Sequence, residues 1–95
     1  MVKIMARISS RADTSTLLKN ILQELVVPSR NEAGCLGYEL YQDDDNPLDF
    51  VTVELWMDQA AAEAHLASPH VMAALTKADD LLAQLPEIRR YTRLA

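Results

Sequence analysis

A single cysteine, Cys35, occurs in the 95 residues, beside two glycines, four prolines, one tryptophan and one phenylalanine. One cysteine excludes an intrachain disulfide and a cysteine-built metal cage. Two glycines exclude a collagen-like repeat. No apolar run approaches the ~20 residues that a membrane-spanning helix needs. The opening MVKIMARISSRAD lacks the charged-then-apolar pattern and cleavage site of a secretory signal, so a cytoplasmic location is expected. Basic residues are scarce in the middle: between positions 31 and 80 only Lys77 stands against eleven acids. A net charge of −5 and a pI near 4.8 repel phosphate backbones, which argues against a nucleic-acid partner.

The chain has the balance of an ordinary globular domain, with 49% hydrophobic and 24% charged residues. Its length fits one domain over residues 1–95. Small domains bury a lower share of their surface. Such a chain is therefore either marginal alone or covered further by a second copy of itself.

Val2 to Ser9 alternates, with Val2, Ile4, Ala6 and Ile8 on one side, as a strand does. Asp13 to Thr16 supplies N-cap residues for a helix carrying Leu17, Leu18, Ile21, Leu22, Leu25 and Val26 at three- and four-residue steps. Pro28 is expected to kink or end it. Cys35 to Gln42 reads as a second strand, with Leu36, Tyr38 and Leu40 on one face. The Asp43–Pro47 segment is a turn, and Phe50 to Trp56 is a third strand completing a hairpin. The triple aspartate lacks the glycine and glutamate of an EF-hand loop, so calcium is not expected there.

Asp58 should cap a short helix over 59–66, and Ser68-Pro69 should start another that runs to about Gln84, before Pro86. Glu87 to Leu94 reads as the last strand. The order βαββααβ is that of an α+β, ferredoxin-like fold, an antiparallel sheet with helices on one side. The sheet is unusual in one respect. Val51, Val53, Leu55 and Met5 put apolar groups on the side away from the helices, where polar residues are the rule. A second subunit is the simplest cover.

Three stretches then carry a family pattern: Glu32-Ala33-Gly34-Cys35-Leu36-Gly37-Tyr38-Glu39-Leu40-Tyr41, Phe50-Val51-Thr52-Val53-Glu54-Leu55-Trp56, and Ala64-His65-Leu66-Ala67-Ser68-Pro69-His70. In order and at this spacing, the chain resembles the antibiotic biosynthesis monooxygenase (ABM) domain family. The resemblance implies a homodimeric α+β barrel and oxygenation without metal, flavin or haem. The substrates it implies are quinols or small hydroxylated aromatics, with O2. The same scaffold also carries haem degradation and the processing of phosphorylated autoinducer-type sugars, so the fold does not name the reaction.

His65 is the candidate catalytic base, because histidine ionises near neutral pH and can take a phenolic proton. Trp56 is the second catalytic candidate, by stacking on an aromatic ligand; the competing reading is a packed core or interface tryptophan. Glu54 lies on the same face and needs a partner if it points inward, for which Arg7, Arg90 and Arg93 are available. Tyr38 and Thr52 are candidate substrate contacts, as are Glu54 and His70. His65 and His70 are five apart across a helix break, unlike the i, i+4 pair of a helical zinc site, so no metal is expected. Cys35 reads as a small buried hydrophobe.

Some positions depart from the family pattern. Thr52 stands where polyketide oxygenases of the family carry an asparagine, and Ala62 where they carry a tyrosine. Both point away from large polyketide substrates. Leu75 stands where the haem-degrading branch has its ligand histidine, and Arg7 and Ile8 lie near its strand-one asparagine, so no haem is expected. The expectation is a cofactor-independent monooxygenase. The alternatives are a phosphosugar isomerase, which would want Arg7 or Arg90 in the pocket, and a non-catalytic dimeric binding module.

Overall fold

The computed structural model describes residues 1–95. Four strands form one antiparallel sheet in the order β2-β3-β1-β4, with β1 at Val2–Ser9, β2 at Cys35–Gln42, β3 at Asp49–Trp56 and β4 at Glu87–Tyr91. Helices α1 (Ser15–Glu24), α2 (Val26–Arg30), α3 (Gln59–Leu66) and α4 (Pro69–Ala78) complete the ferredoxin-like order. The α+β expectation therefore holds, with the first helix in two pieces. The Cα radius of gyration is 13.0 Å. No helix is long and apolar enough to cross a membrane.

Pro28 acts one turn earlier than its own position. Its ring excludes a helical bond to the Glu24 carbonyl, so α1 stops at Glu24 and the chain bends at Leu25. Pro28 then sits in the first turn of α2, where a missing N–H costs nothing. The cap residues behave as read. Asp58 accepts from Ala61 N at 2.8 Å and Ser68 accepts from Val71 N, with Pro69 opening α4.

Two boundaries are shorter than the pattern predicts. Helix α4 ends at Ala78 and tightens into a 3-10 turn over Asp79–Leu81. The backbone beyond is claimed by the end of β1: Arg11 N donates to Leu81 O and Ala83 N to Ser9 O, both at 2.9 Å. The last strand stops at Tyr91 rather than Leu94, because Tyr91 already faces Lys3 near the start of β1 and little of its partner remains. Leu36 also leaves its expected face. A bulge between Cys35 and Gly37 turns it outward, 51% exposed.

The inward face of β3 carries Phe50, Thr52, Glu54 and Trp56, all buried. Beneath the helices the core divides in two. One cluster joins Ile8, Leu18, Ile21, Leu22, Phe50, Ala74, Ala78 and Leu81. The other joins Ile4, Tyr38, Trp56 and Ala62. On the opposite sheet face, Val51, Val53 and Leu55 are partly covered and Met5 is exposed, an apolar strip bordered by Lys3, Arg7, Glu39, Glu87 and Arg89.

Candidate active site

Between the two clusters lies a cavity of about 80 Å3. Its walls are Ile4, Ala6 and Ile8 from the sheet and Leu18, Ile21, Leu22, Val71 and Ala74 from the helices. The exposed side chains among its lining residues, Leu66, Leu75 and Ile88, mark its opening. Its polar groups are Tyr38, Thr52, Glu54 and His65. No lysine or arginine lines it.

The polar end is built along β3. Residues two apart share a face of a strand. Thr52 Oγ1 donates to Glu54 Oε2 at 2.6 Å and Trp56 Nε1 donates to Glu54 Oε1 at 3.0 Å. These bonds offset the cost of burying the carboxylate, which is 4% exposed. The expected arginine partners for Glu54 are not used. Arg7 bonds Asp49 at 2.9 Å, Arg90 bonds Gln59 and Arg93 bonds the Ala95 carbonyl. Arg7 and Arg90 lie opposite Val51 and Ile4 on β1 and β4, with their guanidinium groups on partners outside the cavity.

His65 rises from α3 to meet this row, 3% exposed. Its Nε2 is 3.7 Å from Glu54 Oε1. Its ring lies against Trp56 at 4.6 Å between centroids and against Tyr38 at 5.4 Å. Its Nδ1 is 2.6 Å from Glu32 Oε2. A carboxylate only accepts, so Nδ1 carries the proton and Nε2 is left as the basic atom beside the cavity. Trp56 is fully buried behind this ring and is not part of the cavity wall. Its expected stacking partner, an aromatic ligand, is replaced by His65. Burial, reinforced by Glu54 and Glu32 nearby, raises the Tyr38 phenol far above its usual range, so it stays protonated.

His70 is not in the cavity wall. Its Nε2 lies 2.8 Å from the same Glu32 oxygen, with its side chain 25% exposed. The break between α3 and α4 creates this arrangement: Ser68 Oγ donates to the His65 carbonyl at 2.6 Å and caps α4. Glu32 opens the first sequence motif, and its pattern there assigns it no partner. What places it is Gly34, whose φ of +83° favours glycine and whose added Cβ would stand 2.6 Å from Ala61 Cβ. Only a glycine lets this turn lie against α3, with Met57 N bonded to Gly34 O at 2.7 Å. The Glu32–Gly34 start of the first motif is the signal available in the sequence; its spatial partner is not.

Glu32, His65 and His70 are residue types that bind zinc, arriving from three elements rather than from one helix. Their contacts of 2.6 and 2.8 Å are hydrogen-bond lengths. The triad forms a hydrogen-bonded chain with one shared acceptor.

The model of the family described as antibiotic biosynthesis monooxygenase matches residues 1–77. The chain belongs to the ABM family. Among curated proteins it is 30% identical over 83 residues to "Putative monooxygenase Rv0793" of Mycobacterium tuberculosis, covering 87% of this chain and 81% of that protein. It is 36% identical over 69 residues to the uncharacterized protein sll1783 of Synechocystis, 73% of this chain and 47% of that one, so it spans about half of that relative's length. Among solved structures, PA3566 of Pseudomonas aeruginosa superposes with a TM-score of 0.92 at 36% identity, covering 99% and 94% of the two chains. The ABM fold of these structures is the fold described above.

Proposed function

We propose that this ABM protein is a cofactor-independent monooxygenase for a quinol or small hydroxylated aromatic, with His65 as the base. One observation carries the reading: an apolar cavity is lined at its polar end by His65, whose Nδ1 is committed to Glu32. This is the orienting logic of a carboxylate–histidine dyad, in which the carboxylate holds the tautomer that leaves one nitrogen basic. Thr52 and Trp56 hold Glu54, and Trp56 and Tyr38 hold the ring, so the base is preorganised.

A substrate hydroxyl gives its proton to Nε2. The resulting phenolate is electron-rich and passes electrons to O2 in surroundings that exclude water. One oxygen atom becomes bonded to a ring carbon and ends as a quinone carbonyl; the other leaves as water. All four electrons come from the substrate. The phosphosugar reading lacks the cation it needs, since no basic side chain lines the cavity.

The expected result is oxygen uptake by chelator-treated protein on a panel of quinols, with label from 18O2 in the product. His65→Ala should lower turnover by about a hundredfold. No uptake on any member overturns the oxygenase, and unchanged turnover in His65→Ala overturns the base. We further propose that two copies pair through the face formed by Met5, Val51, Val53 and Leu55, giving a dimer. A sedimentation mass of one chain at micromolar concentration would refute the pairing.

A further inference from the structure

The base sits in an apolar pocket whose opening a substrate would fill, so a proton exchanged with water while substrate is bound needs another route. The structure places a chain of proton-carrying atoms behind it. From His65 Nδ1 to Glu32 Oε2 is 2.6 Å and from Glu32 Oε2 to His70 Nε2 is 2.8 Å. Side-chain exposure rises along the chain, from 4% at His65 to 15% at Glu32 and 25% at His70. We propose that Glu32 and His70 form a proton relay that carries the proton from His65 to solvent by the side of the ring away from the substrate. The proposal rests on the reading of His65 as the base.

The groups around the relay leave it one exit. From β3, Glu54 faces His65 Nε2, but its oxygens already accept from Thr52 and Trp56, and it is buried. From β2, the Tyr38 phenol is held protonated. Arg30, at the end of α2, is bonded to the Tyr38 carbonyl at 2.9 Å, and the acid it might have paired with is left to the two histidines. From α4, Ser68 Oγ lies 3.2 Å from His70 Nε2 but donates to the His65 carbonyl. His70 extends the chain from Glu32, itself partly exposed, to the most exposed of the three side chains.

The transfer balances without any electron change. The substrate O–H bond breaks as an N–H bond forms at His65 Nε2. The Nδ1–H bond of His65 then breaks as an O–H bond forms at Glu32 Oε2. His70, which exchanges its ring proton with water, takes that proton at Nε2 when it is in its Nδ1–H tautomer. It releases the Nδ1 proton to water. His65 then gives its Nε2 proton to the oxygen atom that leaves as water, and one proton returning along the same chain restores Nδ1–H, so no net proton is released over a cycle. Glu32 and His70 touch neither substrate nor oxygen, so they are positioning and relay residues.

The test uses 4-nitrophenol as a chromogenic phenol, with a pH-indicator dye reporting proton release, in stopped flow. In the native protein, bound phenolate and released proton should appear together. In His70→Gln, phenolate should appear at the native rate while proton release lags by roughly tenfold, and dissolved imidazole should abolish the lag. Glu32→Gln, whose amide passes no proton, should show the lag without rescue by imidazole. Simultaneous release in both variants overturns the relay, as does a lag in His70→Gln that imidazole leaves unchanged. Phenolate that still forms in His65→Ala, or that never forms in the native protein, overturns the base reading and the relay with it. Thermal melts of the variants separate a lag from loss of the fold.

Discussion

The two ends of β3 face the same layer of helices and do opposite work. At Phe50 the strand meets Ile8, Leu18, Leu22 and Ala78, an aliphatic cluster with no polar group to satisfy. Two turns of pleat further on, the same face presents Thr52, Glu54 and Trp56, and the helix above answers with His65. Burial at the first end follows from hydrophobicity alone. At the second end Thr52, Glu54, Trp56 and His65 are each matched by a specific partner, and the cavity lies where the two clusters fail to close on one another. Stability thus concentrates at the aliphatic end, and directed chemistry at the polar one.

The comparison breaks most sharply if the aliphatic end is emptied. Phe50 is 1% exposed, and Phe50→Ala should cost about 3–5 kcal/mol in urea unfolding. Turnover per folded molecule should change little, because the polar end does not touch that ring. A parallel loss of turnover would show that the two ends are not separate. Gly34→Ala should cost about 1–3 kcal/mol, from the positive φ and the encounter with Ala61. Unlike Phe50→Ala it should also depress turnover in the surviving folded protein, since it shifts the turn that carries Glu32. Unaltered turnover would separate Glu32 from the site.

The smallest effect is expected at the rim of the aliphatic end. Hydrogen bonds from Arg7 and Ser9 hold the Asp49 carboxyl below its usual range. A depressed folded-state value means the contribution is present above about pH 4, the ordinary range of an unfolded aspartate. It is lost as pH falls through the folded value. Asp49→Asn should therefore flatten the acid limb of a stability-against-pH curve below about pH 4 and leave turnover at neutral pH alone. An unchanged acid limb would contradict the pairing.

Much of the scaffold was legible because its signals are local. Alternation in Val2–Ile8 gives β1, and Asp58, Ser68 and Pro69 mark two helix starts within a residue. The inward row of Phe50, Thr52, Glu54 and Trp56 follows from period two. Errors arose where a distant segment competes for the backbone. The end of β1 takes the chain after Leu81, and the bulge turns Leu36 outward. At the site, Glu54 was read correctly as inward and needing a partner. The partner was misassigned, because charge sign nominates arginines whereas the sheet supplies its own neighbours on β3.

By itself the sequence determined the order of the elements, the caps that start α3 and α4, and the residue types from which a proton-handling site is made. Those follow from period, proline and capping chemistry over a few residues. The tertiary structure alone decided that Glu32 meets His65 across 33 positions and His70 across 38, and that Trp56 backs the histidine instead of a ligand. Such contacts depend on how a glycine turn lies against a helix and how two helices break at Ser68. That is a matter of packing in three dimensions, which no local pattern encodes.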